Sequence, residues 1–144
     1  MLCRLKLFKG RESENQPDMK PNFEDQQISF QTVVKIAALW ELSDHQISML
    51  LGLSSENQLS EIKVTACEEN GSEFLNKDSL LRISQLLGIF KCLETLFENS
   101  VSADTWLSSP NDSHLFNGKP PIEVMLTDYN GMERVRDYLE YKCV

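Results

Sequence analysis

Residues 79–97 read SLLRISQLLGIFKCLETLF, the longest helical pattern in the chain. Apolar residues recur there at helical spacing, which predicts one long helix. They are Leu80, Ile83, Leu86, Leu87, Phe90, Leu93, Leu96 and Phe97. This stripe is too wide for a surface helix that buries only one face, so we expect a central helix packed on both sides. Gly88 in its middle costs about 1 kcal/mol relative to Ala, a cost that is understandable if another helix approaches closely there.

Upstream of this central helix, the sequence contains three shorter helical patterns. Each follows a residue able to cap a helix N-terminus: Ser29, Ser43 and Ser55. The first pattern is the longest, and Gly52 ends the second. A longer helix followed by two short helices and a glycine-containing turn is the sequence shape of a helix-turn-helix unit. We predict such a unit over residues 28–76, preceded by a flexible, polar lead with a basic start over residues 1–27.

Downstream, residues 77–144 are predicted to hold the central helix and a small helical C-terminal domain. A short helix near residues 102–107 precedes a turn-rich stretch over 108–121. An apolar piece at 122–126 and a final helix at 132–142 complete the chain. No alternation typical of β-strands occurs, so the predicted fold class is all-α.

The charge is distributed unevenly along the 144 residues, which carry a net charge of −8. Residues 27–76 contain Lys35 and Lys63 against seven carboxylates, a net charge of −5. Such acidity opposes non-specific attraction to nucleic acid, because that attraction depends on Lys and Arg neutralising phosphates. No apolar run approaches the roughly 18 residues that a membrane span needs, and residues 1–11 contain no apolar stretch of signal-peptide length. We therefore expect a cytoplasmic protein without a membrane partner.

No catalytic, cofactor or metal site emerges from the residue spacing. The cysteines are dispersed, at Cys3, Cys67, Cys92 and Cys143. This spacing matches no zinc site or redox motif and recommends no disulfide, and Cys92 is expected to be a small buried hydrophobe. The histidines, His45 and His114, lie far apart without a neighbouring nucleophile. We predict that the chain is not an enzyme.

The third short helix is the candidate recognition helix of the helix-turn-helix unit. It offers Asn57, Gln58 and Ser60 to base edges, with Lys63 as its cation. Its acidic neighbours leave open an alternative, that the three helices form a packing or dimerisation module. A basic arm could still hold the DNA backbone. The arm consists of Arg4, Lys6, Lys9 and Arg11.

Towards the C-terminus an ordered set of residues carries a family resemblance. The set is Trp106, Leu107, Pro110, Asn111, Phe116, Gly118, Pro121, Ile122, Leu126, Gly131, Val135 and Leu139. In order and spacing it resembles the toxin-binding domain of Xre/MbcA/ParS-type antitoxins. The run from Trp40 to Ser43, with Asp78 and residues 81–83, is similar to the same family. The residue types also make physical sense, because Pro110 and Asn111 turn the chain, Gly118 permits a left-handed conformation and Pro121 can begin a helix.

This resemblance implies an antitoxin that dimerises, represses its own operon and neutralises a RES-type toxin, a class that consumes NAD. Neutralisation would be steric, with the last segment, residues 131–144, covering the cleft where NAD enters the toxin. The candidate contacts are Arg134, Arg136, Tyr138, Tyr141 and Lys142. Two other functions stay open at this point. One is a stand-alone DNA-binding transcriptional regulator, and the other is a degenerate interaction module with a different protein partner.

Overall fold

The computed structural model describes residues 22–68, 74–127 and 130–143. These residues form helices and connecting turns and contain no strand, which confirms the predicted all-α class. The helices are α1 (Phe23–Leu39), α2 (Asp44–Leu50), α3 (Glu56–Thr65), α4 (Lys77–Leu96), α5 (Ser100–Thr105), α6 (Pro121–Thr127) and α7 (Gly131–Cys143). A 3₁₀ turn (Trp106–Ser108) follows α5. Within the described ranges, no helix combines the length and the apolar character needed to cross a membrane.

Helix α1 begins well before the predicted cap at Ser29. Its cap is Asn22, whose side chain accepts a hydrogen bond from the backbone of Asp25. Gln26, placed by prediction in the flexible lead, is completely buried, and its Oε1 accepts from the backbone nitrogens of Phe74 and Leu75, each at 3.1 Å. This correction applies to residues 22–27. The rest of the predicted lead, residues 1–21, lies outside the described residues.

The caps predicted for α2 and α3 are confirmed. Ser43 Oγ accepts from the Gln46 nitrogen at 3.1 Å, and Gln46 Oε1 accepts from the Ser43 nitrogen at 2.9 Å, a reciprocal capping box. Ser55 Oγ accepts from the backbone nitrogen of Gln58. Gly52, with φ of +73°, ends α2 as predicted. The order of α1, α2 and α3 and the starts of α2 and α3 therefore follow the prediction, while their assignment as a helix-turn-helix unit stays a prediction.

Helix α4 lies at the centre of the fold, as its wide apolar stripe predicts. Its buried side chains are Ile83, Leu86, Ile89, Phe90, Cys92 and Leu93. They pack against α1 on one side and α7 on the other. The ring of Phe90 lies 6.2 Å from that of Trp40, measured between centroids, at the end of α1. One core thus joins the N-terminal helices to the C-terminal domain.

The close approach expected at Gly88 is also confirmed. A Cβ at Gly88 would lie 2.5 Å from Nε and 2.6 Å from Cζ of Arg136, so the residue that fills the space is a side chain of α7. Arg136 Nη1 also donates to Gln85 Oε1 at 3.2 Å. Further along, Cys143 lies beside Cys92. These contacts show that α4 and α7 run side by side in the same direction.

Candidate functional site

Helix α7 has a buried face and an exposed face, which determines which side chains can meet a partner. Met132, Val135 and Leu139 are buried, at the three- and four-residue spacing of one helical face. That face packs on α4 and α6. The apolar stripe of α7 is therefore used within the domain, and a partner would contact the opposite side.

The start of α7 depends on an exceptionally close backbone approach. Gly131 is buried, and a Cβ there would collide with the carbonyl oxygen of Val124 and lie 3.0 Å from Cα of Met125 in α6. Sequence reasoning placed Gly131 in the turn before the helix, whereas the structure makes it the first helical residue. A glycine is needed because any side chain would push α7 away from α6.

Three aromatic rings hold α7 to the preceding turn, and we call Trp106, Phe116 and Tyr138 the aromatic cluster. Phe116 is fully buried and lies edge-on to both neighbours, with centroid distances of 5.6 Å to Trp106 and 5.1 Å to Tyr138. Trp106 and Tyr138 stack at 6.1 Å. Such ring pairs stabilise beyond their buried area. Tyr138 thus contributes to the core of the domain as well as lining its surface.

The loop between the 3₁₀ turn and α6 has the turns that its Asn, Gly and Pro residues predict. Asn111 Oδ1 accepts from the backbone nitrogen of Ser113 at 2.9 Å, and the carbonyl of Asn111 accepts from the nitrogen of Gly118 at 2.8 Å. Gly118 has φ of +86°, the left-handed conformation expected of it. Pro121 is the first residue of α6, also as expected. This loop places Phe116 beneath α7.

Arg136 and Tyr138, both proposed from the sequence as toxin contacts, are engaged within the fold. Arg136 Nε pairs with Glu140 Oε2 at 2.8 Å, and the same guanidinium reaches Gln85 and covers Gly88. Tyr138 belongs to the aromatic cluster. A toxin contact through Arg136 would compete with these interactions, so its evident role is to join α7 to α4.

The other three candidates lie on the exposed side of α7, and we call Arg134, Tyr141 and Lys142 the outer face. Arg134 and Tyr141 are two helical turns apart, which places them on one side. Tyr141 is 81% exposed, the highest value among the large hydrophobic side chains of the described residues. Lys142 Nζ lies 5.4 Å from the ring centroid of Tyr138, which joins the outer face to the aromatic cluster. The outer face is the part of α7 best placed to contact a partner.

A groove beside the start of α7 contains an exposed residue that sequence reasoning did not propose as a contact. It has a volume of about 160 Å³ and lies between the first turns of α4 and α7, with Leu81, Gln85 and Met132 in its walls. Leu81 is 58% exposed. The apolar stripe that predicts the core does not include Leu81. The sequence singles this residue out only through the family resemblance, which includes residues 81–83.

Lys63, Gln58 and Ser60, three candidate DNA-contacting residues of α3, already have partners within the fold. Lys63 Nζ pairs with Asp44 Oδ1 of α2 at 3.3 Å. Gln58 Oε1 accepts from the backbone nitrogen of Ser54 at 2.9 Å, and Ser60 Oγ donates to the carbonyl of Glu56 at 3.2 Å. Asn57 is exposed. The cation of α3 is therefore already partnered by a carboxylate, which weakens its availability to phosphate.

The predicted basic arm, Arg4, Lys6, Lys9 and Arg11, lies outside the described residues. Over the ranges that are described, His, Cys, Asp and Glu side chains form no cluster of three that could hold a metal ion. A second exposed pair between α2 and α3 brings His45 Nδ1 to 3.6 Å from Glu56 Oε2.

Comparison with known proteins identifies the family. The model of the antitoxin Xre/MbcA/ParS C-terminal toxin-binding domain matches residues 92–141, a range that includes the aromatic cluster and nearly all of α7. An uncharacterized protein, y4oB of Sinorhizobium fredii (strain NBRC 101917 / NGR234), is 33% identical over 107 residues, which cover 74% of this chain and 77% of the relative. The chain belongs to the Xre/MbcA/ParS antitoxin family. No solved structure matches this antitoxin.

Proposed function

We propose that this antitoxin neutralises a RES-type, NAD-consuming toxin by steric coverage, with the outer face of α7 as the contact. Membership of the family supports a toxin as the partner. The observation that carries the choice of surface is the 81% exposure of Tyr141 on a helix whose other face is buried. The antitoxin itself contributes no catalytic step, and it acts in the cytoplasm.

The residue types of the outer face suit a protein interface. Tyr and Arg are enriched among the few interface residues that contribute most of the binding free energy. Arg134 and Tyr141 are held at a defined spacing by a helix that is packed on α4 and α6, so little backbone conformational entropy is lost when they bind.

Single substitutions on the outer face test this proposal. The variants Tyr141→Ala and Arg134→Ala are co-expressed with a RES-type toxin, which is to be sought in the neighbouring reading frame, and toxin binding and NAD consumption are measured. We expect the dissociation constant to rise by roughly 30-fold for a residue that contributes about 2 kcal/mol. The matched control is Val64→Ala, an exposed apolar residue on α3. Unchanged binding in both outer-face variants would place the contact elsewhere.

Substitution is a sharper test than removing residues 131–144. Deletion of α7 would expose the surfaces of α4 and α6 that Val135 and Leu139 cover. A loss of toxin inhibition after deletion would then not distinguish lost toxin contacts from an unfolded domain. Tyr141→Ala leaves the buried face of α7 intact.

A second candidate function is repression of the antitoxin's own operon, which the order of α1, α2 and α3 favours. We propose that α3 supplies too little positive charge to hold DNA unaided, because Lys63 is paired with Asp44. Binding would then require Arg4, Lys6, Lys9 and Arg11 or the assembled toxin complex. A mobility-shift titration with promoter DNA at low salt tests this. Binding that survives replacement of all four basic residues by Ser would contradict it.

We further propose that the antitoxin is a homodimer. The family resemblance supports this assembly state. Sedimentation equilibrium of the purified chain, with a monomer mass of 16.5 kDa, distinguishes a monomer from a dimer directly. A monomeric mass at micromolar concentrations would contradict the dimer and leave the toxin contact untouched.

A further inference from the structure

Two cysteines far apart in the sequence meet where α4 and α7 end their contact. Cys143, the last residue of α7, donates its Sγ hydrogen to the carbonyl of Cys92 at 3.7 Å, across 51 positions of sequence. Cys92 is buried and Cys143 is half-buried. The spacing along the chain recommends no such pair, so the parallel packing of the two helices creates it.

The Cys143 side chain also acts on the ionisation of Cys92. Burial, followed by the interaction with the Cys143 thiol, raises the pKa of Cys92 from its ordinary 9.0 to about 11. The contact of Cys143 Sγ with the Cys92 carbonyl brings the two residues together, and each sulfur ends a short side chain on one of two packed helices. A disulfide bond between them requires these side chains to bring their sulfurs to 2.03–2.05 Å.

We propose that Cys92 and Cys143 are an oxidation site, at which a small-molecule disulfide oxidant forms an intramolecular disulfide that links the end of α7 to α4. This goes beyond toxin binding and does not depend on which toxin is bound. The link would restrain the same helix that carries the outer face. Oxidation would therefore stabilise the C-terminal domain.

The chemistry consists of two thiol–disulfide exchanges. The less buried Cys143 reacts first as its thiolate, attacking one sulfur of the oxidant and releasing one thiolate. Cys92 then loses its proton to water and attacks Cys143 Sγ, which breaks the mixed disulfide and releases the second thiolate. Two protein thiols are oxidised by two electrons in total, and the oxidant is reduced to two thiols. Since burial raises the pKa of Cys92, little of its thiolate is present at neutral pH, which slows the second exchange.

Oxidised glutathione is the probe, applied to the full chain with Cys3→Ser and Cys67→Ser, so that the proposed pair carries the remaining thiols. Mass spectrometry of the intact chain should show the loss of two hydrogens. Digestion without reductant should yield one linked peptide that contains Cys92 and Cys143, and dithiothreitol should reverse it. The oxidised chain should unfold at a temperature about 5–10 °C higher, because the bond closes a long loop.

The control is the same chain with Cys143→Ser, in which oxidised glutathione should produce neither the linked peptide nor the thermal shift. Cys143 is chosen because its half-buried position tolerates Ser better than the buried position of Cys92. A lasting glutathione adduct on Cys143 without an internal bond would overturn the proposal. A linked peptide without a thermal shift would overturn the stabilising role of the bond.

Discussion

At the scale of single residues, two glycines of the C-terminal domain are needed for different reasons. Gly131→Ala would place a Cβ against the Val124 carbonyl, so we expect it to destabilise the fold by about 1–3 kcal/mol as α6 and α7 separate. A Cβ at Gly118 would meet no atom within 4 Å. The positive φ alone therefore opposes Gly118→Ala, and we expect a loss of about 1 kcal/mol in the free energy of unfolding. Urea unfolding measures both variants. Equal losses would contradict the role of the close approach at Gly131.

The raised pKa of the Cys92 thiol makes the free energy of unfolding depend on pH. Its pKa is raised by burial and by Cys143 from 9.0 to about 11, while the unfolded chain keeps the ordinary value. Its contribution to stability is therefore complete below about pH 9 and is lost as the pH rises through about 11. Glu140 opposes its ionisation and Arg136 favours it.

The measurement compares Cys92→Ala with the unaltered chain by urea unfolding at several pH values. The unaltered chain should be more stable at pH 8, and its advantage should shrink steadily towards pH 11. The subtraction removes the titration of distant Lys and Tyr residues, which both proteins share. A difference that stays constant over the whole range would exclude a raised pKa for this thiol.

At the scale of elements, the end of α1 contains a strained residue. The Leu42 nitrogen donates to the Ala37 carbonyl and the Glu41 nitrogen to the Ala38 carbonyl, a Schellman ending that puts Glu41 at φ of +58°. Helix α2 ends in the same way, but with Gly52 at the left-handed position. Glutamate there costs about 1–2 kcal/mol relative to glycine.

We therefore expect Glu41→Gly to raise the free energy of unfolding by about 1 kcal/mol. Glu41→Ala is the matched control, since it removes the same carboxylate and retains a Cβ at positive φ. Thermal and urea unfolding measure both variants. If the two variants change stability equally, the carboxylate and not the backbone strain is responsible.

The elements also show where local reasoning succeeds. The stripe of α4 and the caps Ser43 and Ser55 are local features, because periodicity and capping involve residues within a few positions of each other. The start of α1 is different. It is supported by Gln26, whose partners Phe74 and Leu75 are 48 and 49 positions away. A polar residue buried by so distant a segment leaves no pattern in its own neighbourhood.

At the scale of the whole molecule, α4 is shared by the N-terminal helices and the C-terminal domain. Ile83, Leu86, Ile89 and Phe90 are buried between α1 and α7, and the described helices pack into one core around them. Neither side can lose α4 and keep its own core. We therefore expect the chain to unfold in a single cooperative transition.

The two tryptophans report on the two sides of α4. Trp106→Phe leaves Trp40 beside Phe90, and Trp40→Phe leaves Trp106 in the aromatic cluster. In each variant, tryptophan fluorescence and far-ultraviolet circular dichroism should give the same urea midpoint. Fluorescence that changes before the circular dichroism in one variant would show that the two sides unfold separately.

The negative charge of residues 27–76 affects what the single cation of α3, Lys63, can bind. Residues 27–76 carry a net charge of −5, and the structure pairs Lys63 of that region with Asp44. A surface pair of this kind contributes little stability, but it places a carboxylate beside the cation that phosphate would need. This pairing supports our proposal that α3 supplies too little positive charge to hold DNA unaided.

The amino-acid sequence by itself determined the helical class, most helix ends and the ordered residues that carry the family resemblance, because these depend on periodicity, capping and turn chemistry between near neighbours. Only the tertiary structure decided which side chains remain available. It engaged Arg136 and Tyr138 within the domain, exposed Tyr141, made Gly131 a contact between helices and brought Cys92 to Cys143. Whether a side chain is buried, paired or free to bind depends on the helix packed against it, and that neighbour is distant in the sequence.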